Sequence, residues 1–297
     1  MRDIFCAQMI RAFAKKPFVF LTGDLGFKAL EPLRKNMQDH FINVGISEQN
    51  MVSVAAGIAK TGLQVFCYSI APFAFARPFE QIRNDVCLHN LPVTIVGNGG
   101  GYGYGVMGAT HHAIEDYGAL LTLQNMQAFI PTFDADVSAM IDRITELRKP
   151  SYLRLGVAEK SDEIFYAPWR KILDGDLGVV IVTGAIASKL LQDFMKEEKA
   201  VRPSIWLLCE LPIIDLPQDL VAEISDKKLC VVEEHVKWGG IGGMIAGKIL
   251  EKNIHLKAFC HLHALGYVSG FYGSQNFHRE ESNLTKNFII NQFQKTA

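Results

Sequence analysis

Short runs of almost uninterrupted apolar residues alternate along this chain with stretches where apolar positions recur every three or four residues. The runs PFVFLT (17–22), FINV (41–44), QVFCYS (64–69), PVTIVG (92–97), QAFIPT (127–132) and SYLRLG (151–156) lack an alternating polar row, so they read as strands buried on both faces. Helical periodicity predicts helices over roughly 2–15, 48–60, 73–89, 115–123 and 134–147. Strand and helix in alternation point to a parallel sheet covered by helices on both sides. A second series begins after the polar KSDEIF and the aromatic turn YAPWR, with LGVVIVTG (177–184), PSIWLLCE (203–210), KKLCVVEEH (227–235) and a helix from about 240. The pattern predicts an α/β fold of two doubly wound domains, residues 1–160 and 176–297, joined by a linker at 161–175. The last thirty or so residues are polar and aromatic, without a readable period.

Composition adds exclusions. At 297 residues, with 49% hydrophobic and 21% charged positions, the chain is large enough for two cores. A net charge of −1 without a long Lys/Arg run argues against a nucleic-acid or membrane-surface role. The N-terminal MRDIFCAQMIRAFAKK is interrupted by Asp3 and Arg11 and does not read as a signal peptide. Cys6, Cys67, Cys87, Cys209, Cys230 and Cys260 form no CxxC pair, which suggests neither a zinc site nor a disulfide framework. These features together read as a cytoplasmic protein.

Three segments carry candidate chemistry. In NVGISEQNMVSVAAGIAKTG (43–62) a strand ends at Val44, Gly45 allows a turn, Ser47 stands where a helix cap is expected, and Glu48 falls in the first turn. A capping serine and an acid favouring the positive end of the helix would explain that arrangement without function. In YSIAPFAFARPFEQIRNDVCLHNLPVTIV (68–96), Phe73, Phe75 and Phe79 suit a core or an interface. In GNGGGYGYGVMGATHHAIED (97–116) the string GYGVMG formally fits a dinucleotide fingerprint. The preceding strand ends too early, and no acid follows at the expected distance. The glycines there would let the backbone approach a ligand closely.

Together the three segments resemble transketolases and deoxyxylulose-phosphate synthases: ISEQNMVSVAAGIAKTG, FEQIRNDV followed by LPV, and GATHHAIED, in that order. The resemblance implies a pyrimidine-binding thiamine-diphosphate fold followed by a transketolase C-terminal-like domain, to which VEEHVKWGGIGGMIAGKI (232–249) is similar. It places the cofactor-activating acid at Glu48, meeting the aminopyrimidine and helping the cofactor lose its reactive proton. It puts the ring that stacks on the pyrimidine at Phe73, with Phe75 the other candidate. His111 would act beside the thiazolium and the substrate carbonyl, and His112, Tyr102 and Tyr104 would line the substrate pocket. Arg83 and Asp85 read as structural, and the VEEH–GGIGG region as scaffold and interface.

Departures from the family pattern matter as much. The strings TGDLG (22–26) and LDGDLG (173–178) do not match the family's diphosphate and magnesium motif. A pyrimidine site without a diphosphate site implies a partner chain, an N-terminal transketolase subunit holding the diphosphate and Mg2+ of thiamine diphosphate. The expected assembly is a heterotetramer containing a homodimer of this chain. Met107 stands where relatives have a sugar-binding acid, and Gly99 and Val157 where they bind phosphate through histidine and arginine. Loss of those groups predicts a modified or nucleotide-linked sugar rather than a simple terminal sugar phosphate. Two-carbon ketol transfer is the leading expectation. A decarboxylating carboligase, a 2-oxo-acid dehydrogenase β subunit and a non-catalytic structural subunit remain the alternatives.

Overall fold

The computed structural model describes residues 1–26, 28–158 and 165–295. In chain order the strands are β1 Val19–Thr22, β2 Phe41–Asn43, β3 Val65–Ile70, β4 Val93–Asn98, β5 Gln127–Phe129, β6 Ser151–Leu155, β7 Trp169–Leu173, β8 Val179–Val182, β9 Ser204–Leu208, β10 Glu210–Leu211, β11 Lys228–Val232 and β12 Ala258–Leu262. They form two sheets, ordered β10-β5-β6-β4-β3-β1-β2 and β12-β11-β8-β9-β7. Both are parallel except at one edge, where β10 and β7 run antiparallel to their neighbours. The expected α/β class is therefore observed.

Buried apolar runs became strands because both faces of each sheet are covered. Val19, Leu21, Val65 and Cys67 pack into one apolar cluster, while Phe18, Phe20, Phe66 and Tyr68 enter a second on the opposite side. Burying both rows removes apolar surface from water at about 25 cal/mol per Å², which favours exposing neither side.

Two expectations need correction. The helix expected over 73–89 is broken into Ala71–Phe75 and Phe79–Gln81, the latter continuing as a π-helical turn over Ile82–Cys87. Pro78 lies in the gap, and proline offers no N–H to continue the first helix. The stretch expected to be a linker contains β7, whose Trp169 and Leu173 pair with Leu208 and Ile205 of β9. Its mixed sequence WRKIL hid this edge strand, while residues 161–164 lie outside the described residues.

The two halves are also tied through polar groups. The buried Arg154 donates through Nε to Asp116 at 2.7 Å, and through Nη2 to the Ala113 and Glu234 carbonyls at 2.7 and 2.9 Å. Glu233 at the end of β11 accepts the Tyr117 hydroxyl. His235 Nε2 accepts the Gly118 N–H at 3.1 Å. The VEEH segment thus acts as scaffold where the halves meet.

Candidate active site

Parallel strands deliver their following loops to one edge of a sheet, where ligands of open α/β sheets bind. The segments after β2, β3 and β4 leave from that edge. After β2, Asn43 Oδ1 accepts the N–H groups of Asp24 and Gly45, each at 3.0 Å. Gly45, at φ +75°, supplies a left-handed turn that side chains disfavour. The chain then enters the helix Glu48–Ala59.

Ser47 occupies the cap position, yet its side chain makes no capping bond. Its N–H instead closes a tight turn onto the Gly45 carbonyl at 2.9 Å. The expected hydroxyl cap is therefore absent.

Glu48 is 4% exposed, and its Oε1 accepts a hydrogen bond from Arg77 Nη1 at 2.8 Å. The same guanidinium lies 3.8 Å from the centre of the Phe73 ring. Phe73 meets the edge of His111 at 5.2 Å between centroids, inclined 65°. His111 in turn has Tyr104 at 6.5 Å, and the Tyr104 hydroxyl accepts from Asn98 Nδ2 at 2.5 Å. A continuous run of side chains therefore joins Glu48, Arg77, Phe73, His111, Tyr104 and Asn98. His111 Nδ1 lies 2.9 Å from Thr110 Oγ1, leaving Nε2 free of that contact.

Of the predicted residues, Glu48, Phe73, His111 and Tyr104 come together. Phe75 does not, being 6% exposed within the apolar core. Tyr102 is fully buried, with its hydroxyl on Ser282 Oγ at 3.0 Å and the Gly266 carbonyl at 3.2 Å; burial pushes that hydroxyl up to about 12. His112 is 3% exposed, and burial lowers its imidazole below the usual range. Tyr102 and His112 therefore face the interior, contrary to the substrate-lining expectation. Neighbouring loop residues point in opposite directions, which places one histidine outward and the next inward. Met107 is exposed on a short 3-10 turn, Gly105–Met107. Arg83 pairs with Glu80 at 3.5 Å and Asp85 accepts Ser53 at 2.6 Å, contacts that are structural.

Arg77 and Asn98 were not anticipated as site residues, because no local pattern signals a side chain that bridges an acid and a ring, or one that meets a tyrosine across a loop.

An opening adjoins this run at Asn98 and Tyr104. Asn98, Gly99, Gly103, Tyr104, Gly156 and Val157 line it, with Arg2 and Asp134 at its margin. The Gly99 and Gly100 N–H groups both donate to the Leu155 carbonyl at 2.9 Å, drawing the loops after β4 and β6 together. Gly99 and Val157, singled out separately in the sequence, thus share one cleft. Gly99 has no room for a side chain: a Cβ there would lie 2.1 Å from the Tyr104 ring.

The donor set fits half of thiamine diphosphate. A buried carboxyl, an aromatic ring and a histidine on one edge suit an aminopyrimidine and the ring attached to it. Among the described residues no group of three or more His, Cys, Asp or Glu side chains could hold a metal ion. None of their helices is long and apolar enough to cross a membrane.

Comparisons with known proteins agree with the geometry. Residues 4–159 match the family model described as transketolase, pyrimidine binding domain. A curated relative from Actinobacillus succinogenes, named as one of the subunits of apulose-4-phosphate transketolase, is 30% identical over 75% of this chain and 74% of its own length. A protein named putative transketolase C-terminal section, from Methanocaldococcus jannaschii, is 30% identical over 80% of this chain and 78% of its own. Among solved structures, one titled split gene transketolase, inactive beta4 tetramer, superposes with a TM-score of 0.81 at 27% identity, covering 99% of this chain and 96% of that one.

Proposed function

We propose, since the chain belongs to the transketolase family through its pyrimidine-binding domain, that it is the pyrimidine-binding subunit of a two-chain thiamine-diphosphate transketolase. The partner is a separate subunit holding the diphosphate and Mg2+, and the pair moves a two-carbon ketol unit from a ketose to an aldehyde. The observation that carries this reading is the unbroken run from Glu48 through Arg77 and Phe73 to His111.

The roles follow from position. Glu48 presents a buried carboxyl to the aminopyrimidine, with Arg77 fixing its orientation. Phe73 offers a ring face to that heterocycle. His111, with Nε2 directed away from Thr110, handles a proton at the substrate's carbonyl oxygen. When bound, thiamine diphosphate supplies the electron sink that a two-carbon transfer needs. Tyr104 and Asn98 offer a hydroxyl and an amide to a polyhydroxyl chain in the adjoining cleft.

Glycine and valine at positions 99 and 157 offer the cleft no bidentate phosphate donor at those two positions. The substrate reading is therefore a sugar whose far end is modified or nucleotide-linked. The curated relatives named for apulose 4-phosphate supply the rival, a phosphorylated sugar held by other groups. Steady-state kinetics across both classes decides: a phosphorylated ketose and aldehyde as the best pair would overturn the modified-sugar reading.

The split itself is tested by co-purifying this chain with the diphosphate-binding subunit and titrating thiamine diphosphate with magnesium. Saturable binding by the pair and none by this chain alone is expected. Binding by the isolated chain would overturn the partner requirement. No binding in either case would favour a structural subunit.

A further inference from the structure

The segment after β12 had no readable role in the sequence, yet it packs onto the loop that carries His111. The Tyr267 hydroxyl donates to the Ala109 carbonyl at 3.3 Å, and its ring stacks on His112 at 5.6 Å. A Cβ on Gly108 would lie 2.1 Å from the Tyr272 ring. One on Gly105 would lie 2.7 Å from the Gly273 carbonyl oxygen and 2.9 Å from His278 Cδ2. The glycines expected to admit a ligand thus admit the chain's own C-terminal segment at these two positions.

His278 is the centre of this packing. It is 4% exposed on the helix Gln275–Glu281, and its ring stacks on Tyr102 at 5.2 Å. Its Nε2 lies 3.3 Å from the Gly105 carbonyl oxygen, and His112 Nε2 lies 3.4 Å from the same atom. A carbonyl has two lone pairs, so both imidazoles donate to it when each carries its proton on Nε2. Its helix is fixed in turn: Arg279 Nε donates to the buried Glu234 carboxylate at 2.5 Å, at the junction of the two halves.

We propose that residues 265–281 clamp the His111 loop and that His278 is its positioning residue, acting through the Gly105 carbonyl and His112 rather than by touching substrate. With His112 anchored inward, His111 is left facing Phe73.

His278→Phe keeps ring volume and stacking but removes the donor, whereas His278→Gln retains a donor. Hydrogen exchange over 103–112 in the full chain reads the clamp without assuming any reaction. Exchange in His278→Phe should rise about fivefold, with β4 unchanged and His278→Gln close to the parent. In the assembled enzyme the kinetic arm, which rests on the ketol-transfer reading, should show kcat about tenfold lower for His278→Phe, a nearly constant KM, and recovery in His278→Gln. Unchanged loop exchange in His278→Phe overturns the clamp, and raised exchange with an unchanged kcat overturns the positioning role. Should His278→Phe fail to fold, Tyr267→Phe removes only the bond to Ala109 from a half-exposed side chain, and unchanged exchange over 108–112 then overturns the clamp. A parent complex without ketol transfer would sink the functional reading alone, with loop exchange still deciding the clamp.

Discussion

Arg77 holds two residues at once, with Nη1 at 2.8 Å from Glu48 and Cζ at 3.8 Å from the Phe73 ring centre. Arg77→Met would leave a carboxyl that is 4% exposed without this donor. An acceptor stranded in that way costs about 1–3 kcal/mol, so the variant's thermal midpoint should fall, and an unchanged midpoint would show the contact to be idle. Glu48→Gln tests the acid itself. The amide preserves shape and can still accept from Arg77, but it cannot carry the acidic proton. The assembled enzyme should lose about 10²–10⁴-fold in kcat while its melting profile stays put; parent-like turnover would remove Glu48 from the mechanism. At this scale the motifs named Glu48 and His111, which the fold joins in one run of side chains, but also His112, which it buries. The motifs left Phe73 and Phe75 open, and helical geometry separates them. Two residues along a helix turn through about 200°, so one ring reaches Arg77 and the other enters the core. Arg77 and Asn98 were invisible because their partners are set by the fold rather than by a local pattern.

The helix Ile241–Glu251 begins on a side chain from the residue just after β11. Fully buried Glu233 accepts the N–H groups of Ile241 and Gly242 at 2.8 and 3.0 Å, and it meets His261 Nε2 at 2.6 Å. Burial alone would raise its carboxyl, but hydrogen bonds from His261, Tyr117 and Gly242, together with nearby His235, outweigh it and hold the group below the ordinary value. A depressed folded value contributes stability that is present above the unfolded value, about 4.3, and lost as pH falls through the folded one. The parent should therefore lose stability in acid below about pH 4.3, and Glu233→Gln should show a shallower decline there. Parallel acid titrations of the two proteins would refute this assignment. The VEEH and glycine strings revealed that a strand passes into a helix here, but not that the first acid of VEEH caps it. Elements with weak patterns escaped the sequence. Two-residue β10 is too short to show any alternation, and β12 is a half-exposed edge.

On the scale of the whole molecule, two α/β sheets dominated by parallel strands were legible, because each leaves a long pattern of buried apolar runs. Their mutual fastening was not, since it depends on buried polar atoms contributed from far apart in the chain. Arg154 is the main fastener, 4% exposed and paired with a fully buried Asp116 at 2.7 Å, while also reaching the Glu234 carbonyl of the other half. Arg154→Met keeps much of the apolar stem but leaves Asp116 without its counter-charge, with the Tyr152 hydroxyl at 2.7 Å still donating to it, and breaking a buried pair costs about 3–5 kcal/mol. The loss should also loosen one half from the other. The sequence offers a convenient probe, for its three tryptophans are Trp169, Trp206 and Trp238, all beyond the first sheet's consecutive strands. Tryptophan fluorescence therefore follows the second half, whereas far-ultraviolet dichroism follows both. In the parent the two denaturation curves should coincide, as cooperative unfolding requires. In Arg154→Met they should separate, with dichroism changing before fluorescence as the first half opens around its uncompensated carboxylate. Coincident curves in a destabilised variant would mean that the apolar cores shared between the halves couple them without this network.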